Sequence, residues 1–181
     1  MHHPVYSPGT GHGSEPGFRP RLPRLFQVAN GRAVVFYDQI GCGRSTHLPD
    51  APIDFWTPDL FVEEFHTVRA DLGFDDYHVL GQSWGGMLGA EIAVRRPEGL
   101  ASLSICNSPA SLALWRDAAA KLRAELPEET QAALDRHEAA GTVADPEYVA
   151  ATMEFYARHV CRTTPMPQDF LDSEAQMERE P

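Results

Sequence analysis

The chain has 181 residues, 43% of them hydrophobic, which is enough for one domain with its own core. Its formal charge of −11 sets it against phosphate backbones and anionic membrane surfaces, which would add like-charge repulsion, so neither nucleic acid nor membrane is an expected partner. No apolar stretch is long enough to span a bilayer, and "MHHPVYSPGT" lacks the basic-then-apolar order of a signal peptide, so the expected location is cytoplasmic.

Residues 1–30 carry a dense run of proline and glycine, as in "SPGTGHGSEPGFRPRLPR", and read as an irregular segment. A strand follows through Ala33, Val34, Val35, Phe36 and Tyr37, a continuous apolar run of the kind buried on both faces of a parallel sheet. The glycine-rich "IGCGRS" then makes a loop. A helix is predicted from Thr57 as N-cap with Pro58 at its first position, presenting Phe61, Phe65, Val68 and Leu72 on one face and stopping at Gly73. Tyr77, Val79 and Leu80 form a second strand, Met87, Leu88, Ile92 and Val94 recur at helical spacing up to Pro97, and "LASLSICNSP" gives a third strand. Strands alternating with helices require crossovers and a parallel sheet, so residues 31–110 read as an α/β core. Beyond it, residues 111–181 show only helical patterns: after Ser111, after Pro127, from "DPE" at 145–147, and around Phe170.

Between the second strand and its helix lies "GQSWGG". Gly81, Ser83 and Gly85 fit G-x-S-x-G, where glycines permit a tight strand-to-helix turn that leaves the serine hydroxyl projecting from the sheet. Ser83 is therefore the candidate nucleophile. Trp84 follows at the helix N-terminus, where its backbone N–H is placed to receive a developing oxyanion. Cys42, Cys106 and Cys161 are too few and too scattered for a disulfide framework, and neither cysteines nor histidines show metal-ligand spacing, so no metal is expected. Asp38 and Arg44 are read as polar support for the glycine loop, His47 and His66 as surface or satisfied side chains, and Tyr156 as part of an apolar helical stripe.

Taken together, "VVFYDQIGCGRS", "YHVLGQSWGGMLGAEIA" and "LPEETQAALDRHEAAGTVADPEYVAATMEFYARHVCR" resemble the proline iminopeptidase and L-amino-acid (proline) amide hydrolase branch of the α/β-hydrolases. The resemblance implies a partial α/β-hydrolase core followed by a helical cap. It also implies a serine hydrolase that works without a cofactor, removing an N-terminal proline or other residue from small peptides or cleaving amino-acid amides. On it, Ser83 takes the place of the nucleophile and Trp84 that of the elbow donor to the oxyanion hole.

Three departures from that pattern set further expectations. The second oxyanion donor of such enzymes comes from an HGGPG-type loop, which His12, Gly13, Pro16 and Gly17 echo with altered spacing. The strand leading into that loop belongs between the "VVFY" and "HVLG" strands, and the prolines and glycines upstream of His12 predict a gap there instead. Finally, the acid and the histidine of the triad follow later strands, whereas "SEAQMEREP" closes the helical stretch, so both are expected to be missing and the chain to be an incomplete or inactive fragment. His137 and His159, the only histidines after Ser83, show no partner spacing that would make either a base. A non-catalytic binding module on the same scaffold, and an esterase or lactonase of the same fold, stay open as alternatives.

Overall fold

A computed structural model describes residues 5–8, 31–43, 45–168 and 170–172. Four strands, β1 (Val5–Pro8), β2 (Val34–Tyr37), β3 (Tyr77–Gln82) and β4 (Leu100–Cys106), form one sheet in the order β2-β1-β3-β4. Every pairing is parallel. The expected gap is therefore filled: Val5 pairs with both Val34 and His78, and Tyr6 with both Val35 and Val79. Proline is excluded from the interior of a central strand because it cannot donate to the ladder, but Pro8 is the last residue of β1, where the objection weakens. The segment around His12, Gly13, Pro16 and Gly17, and the side chain of Arg44, lie outside the described residues.

Helix α1 (Pro58–Asp71) starts as its sequence predicts. The Thr57 hydroxyl accepts the Leu60 N–H at 3.2 Å, and Gly73 adopts φ +68 just past the end. Its buried residues are Val62 and Phe65, with Phe61 and Val68 packed beside them, whereas Leu72 is exposed because the helix has ended by then. Helix α2 (Trp84–Val94) buries Leu88 and Ile92, and Val94 at its C-terminus faces out. These side chains, with Tyr77 and Val79 of β3, make the core of the α/β unit. The β2 residues are half-buried, short of the two-faced burial predicted for them. Where Gly89 of α2 crosses the sheet, an added Cβ would lie 2.7 Å from a Leu103 methyl and 3.6 Å from Val79, so glycine lets the helix approach.

Ala110–Gln168 form a second compact unit. It holds α3 (Leu112–Arg123), α4 (Glu128–Ala140) and α5 (Pro146–His159), whereas the helical backbone at 170–172, around Phe170, belongs to the first unit. Its core is Leu126, Ala133, Leu134 and Ala151, with Tyr148 and Phe155 packed against them. Arg123 bridges from α3 to Asp135 and Glu138 of α4, and Thr130 donates to Glu154 of α5 at 2.6 Å. No helix among the described residues is long and apolar enough to cross a membrane.

Candidate active site

β3 ends at Gln82 and α2 begins at Trp84, so the chain reverses its course at one residue, Ser83. Ser83 has φ 54 and ψ −119, a conformation that costs an L-residue free energy and persists only where the surroundings impose it. Those surroundings are specific. The Ser83 N–H donates to the Cys106 carbonyl at the end of β4 (2.9 Å), and its carbonyl accepts from the N–H groups of Gly86 and Met87 (3.0 and 3.3 Å). Ser108 adds a hydroxyl that donates to the carbonyls of Ser83 at 2.7 Å and Cys106 at 3.1 Å. Glycine is required by contact at Gly81 of the motif and at Gly86 just after it: a Cβ on Gly81 would sit 2.0 Å from the Gly85 carbonyl oxygen, and one on Gly86 would sit 1.9 Å from the Ser108 hydroxyl.

Among the described residues the Ser83 hydroxyl is uncommitted. Ser83 occupies the N-cap position of α2 without making a capping bond, whereas the hydroxyls of Thr57 and Ser111, in the same position on α1 and α3, each accept a backbone N–H. Trp84 is the first residue of α2, so no turn of the helix can use its backbone N–H. An anion forming beside Ser83 would meet that N–H and the positive end of the helix dipole.

The loop after β2 is clamped to the same region. Gln39, 1% exposed, accepts the Trp84 indole N–H through Oε1 at 3.1 Å, and the Ile40 N–H donates to Glu64 of α1 at 2.7 Å. Burial pushes the Glu64 carboxyl above its ordinary range, against the opposing pull of the Ile40 N–H. The Trp84 ring meets Phe61 edge-on at 5.6 Å, and Phe61 stacks on Trp56 at 6.3 Å. A Cβ on Gly43 would strike the Asp38 carboxyl group at 2.7 Å, and Ser45 donates to the Asp38 carbonyl, so this glycine loop is shaped by packing. Ser108 and Gln39 were not singled out by sequence reasoning. Ser108 lies 25 residues from its partner, and a glutamine in a glycine-rich loop carries no motif of its own.

No group among the described residues hydrogen-bonds the Ser83 hydroxyl, and the described histidines contact other groups. His47 contacts the Gly43 carbonyl at 2.9 Å and His78 the Ser102 hydroxyl at 2.7 Å. His66 lies against the Phe65 ring, with its pKa lowered by burial and then by Arg69 and Arg95. His159 packs on Phe155 at 5.0 Å, with its Nε2 buried and without a hydrogen-bond partner among the described residues. His137 corrects its expectation, because it does have partners: Thr142 Oγ1 at 2.8 Å on Nδ1, and Glu147 at 3.1 Å and Asp145 at 3.8 Å on Nε2. These three acidic and imidazole groups converge within 4.8 Å, a donor set that sequence spacing did not reveal. The same atoms already serve the protein, since Asp145 Oδ1 caps α5 by accepting the Glu147 N–H and Glu147 Oε2 pairs with Arg136.

Comparison with known proteins agrees with this geometry. A family model described as alpha/beta hydrolase fold matches residues 7–162. The proline iminopeptidase of Lactobacillus delbrueckii subsp. lactis is 39% identical over 151 residues, covering 81% of this chain and 51% of that protein. That of Clostridium botulinum is 40% identical over 131 residues, covering 72% and 44%. Among solved structures, the proline iminopeptidase of Mycobacterium smegmatis superposes with a TM-score of 0.81 at 62% identity, covering 99% of this chain and 60% of that one. VinJ gives a TM-score of 0.89 at 43% identity, covering 100% and 60%. The chain thus spans about half the length of the curated relatives it matches. With a parallel sheet, a strand-to-helix turn at Ser83 and this family match, the chain belongs to the α/β-hydrolase fold family, and it is similar to proline iminopeptidases within it.

Proposed function

We propose that Ser83 is the nucleophile of a serine hydrolase of the proline iminopeptidase type, acting on small peptides with an N-terminal proline, with amino-acid amides as the neighbouring substrate class. The observation that carries this reading is the elbow itself: a serine held at φ 54 between β3 and α2, its hydroxyl withheld from helix capping. In the reaction, Oγ attacks the scissile carbonyl while a base takes its proton. The negative charge that develops on the carbonyl oxygen is received by the Trp84 N–H at the head of α2. The leaving amine departs with a proton, and water then releases the acyl group from Ser83.

We place the general base outside the described residues, because both nitrogens of His137 are engaged and His159 is packed against Phe155. Ala110–Gln168 is taken as the helical cap of the family. Incubating the chain with a fluorophosphonate, with and without free imidazole, and locating the adduct by peptide mass tests the reading. Labelling confined to Ser83 and accelerated by imidazole supports it, and labelling elsewhere, or none with imidazole present, contradicts it. Turnover of proline p-nitroanilide against alaninamide separates peptidase from amidase. The second reading, a non-catalytic module on this scaffold, is favoured by the absence of any base hydrogen-bonded to Ser83 among the described residues. It predicts a folded chain that stays unlabelled.

A further inference from the structure

We infer that Gln39 is a positioning residue for the oxyanion donor: by accepting the Trp84 indole N–H it fixes the ring, and through the ring the peptide N–H next to Ser83. This rests on the proposed role of Ser83 and Trp84 and adds a residue to it. A glutamine buried to 1% exposure needs a reason, because taking an amide out of water costs free energy unless its groups are paired. Among the described residues only half of this amide is paired. The indole N–H is a donor only, so the amide must turn its oxygen to Trp84 (3.1 Å), which leaves Nε2 buried without a hydrogen-bond partner. The amide satisfies the indole at the expense of its own second group.

The anchor behind Gln39 is rigid. Its carbonyl accepts the Cys42 N–H at 2.9 Å, closing the turn, and the next residue donates its N–H to Glu64 on α1. Phe61, also on α1, meets the other contact surface of the indole. Trp84 is thus held by its side chain from two directions on one supporting element. The peptide that precedes it is the strained one: with ψ −119 at Ser83, the plane carrying the Trp84 N–H is turned to an orientation that an unrestrained chain would leave. Holding the residue after the bend resists that relaxation and keeps the N–H where an oxyanion beside Ser83 would form.

The test uses the full chain carrying Gln39→Met, which keeps length and loses the acceptor, and Gln39→Glu, which keeps the acceptor. Trp84→Phe and the Gln39→Met/Trp84→Phe pair complete the cycle. Two signals are read: the Trp84 backbone-amide and indole resonances by ¹H–¹⁵N NMR, and the rate of Ser83 phosphonylation with imidazole present. The expected result is that Gln39→Met shifts the Trp84 amide, speeds exchange of the indole proton, and slows labelling about tenfold, the loss of roughly one hydrogen bond. Gln39→Glu restores both signals, and Gln39→Met adds no further loss to Trp84→Phe. A Trp84 amide unmoved by Gln39→Met, or equal slowing in the Trp84→Phe background, overturns the inference. If wild-type Ser83 is never labelled, the proposed function falls, while the Trp84 amide still decides the role of Gln39.

Discussion

Ser83 and His137 make an instructive pair. The serine has the backbone of a nucleophile, with a positive φ, a glycine on either side of its neighbours and a hydroxyl kept out of capping, yet no imidazole bonded to it among the described residues. The histidine has what a catalytic base needs behind it, carboxylates of Glu147 and Asp145 beside one ring nitrogen, yet its other nitrogen is taken by Thr142. A carboxylate next to a histidine is therefore not by itself a sign of catalysis. In His137 it joins the end of α4 to the start of α5, and what distinguishes a base from a clip is whether one nitrogen is left facing a hydroxyl to be activated.

The largest effect that would sharpen this contrast is at the bend. Ser83→Ala should abolish fluorophosphonate labelling completely while leaving the chain folded, because no capping bond is lost; mass spectrometry and a melting curve read both. Gly81→Ala should instead destabilise the α/β unit by about 3 kcal/mol or more, since its Cβ meets backbone that cannot yield, as denaturant unfolding would show. His137→Ala removes a buried ring and its bonds to Thr142 and Glu147. It should cost about 2 kcal/mol of stability in the helical unit, readable by amide exchange on α4 and α5. Thr57→Ala, at the cap position that does bond, should cost about 1 kcal/mol by denaturant unfolding, the value Ser83→Ala is spared.

The smallest effect is a pH dependence. Glu64 holds its proton to higher pH in the folded chain than in the unfolded one, so the fold is penalised once pH rises past the ordinary glutamate value of 4.5. Glu64→Gln keeps an oxygen for the Ile40 N–H and removes the charge. Its stability relative to wild type should rise as pH is raised through that window and then level off, while at lower pH the two should converge.

How far the sequence discloses this arrangement depends on whether the cause is local. Thr57 with Pro58, the G-x-S-x-G turn and the apolar spacing of Leu88 and Ile92 act over a few residues, and each appears where its pattern predicts. The strand Val5–Pro8 was illegible because four residues ending in proline carry no strand signal, and what places them is pairing on both sides with β2 and β3. Gln39 meeting Trp84 across 45 residues, and Ser108 meeting Ser83 across 25, are tertiary contacts that no spacing rule encodes. The His137 clip was missed for a related reason, since its partners come from the loop and the next helix and match no ligand or triad spacing.

The most direct test compares the initial rate of Ser83 phosphonylation in wild type, His137→Ala and His159→Ala, without imidazole and under conditions where all three are folded. The account predicts one slow rate shared by the three proteins and raised equally by added imidazole. A fast wild-type rate that collapses in either histidine variant and returns with imidazole would contradict it, because that histidine would then be the base.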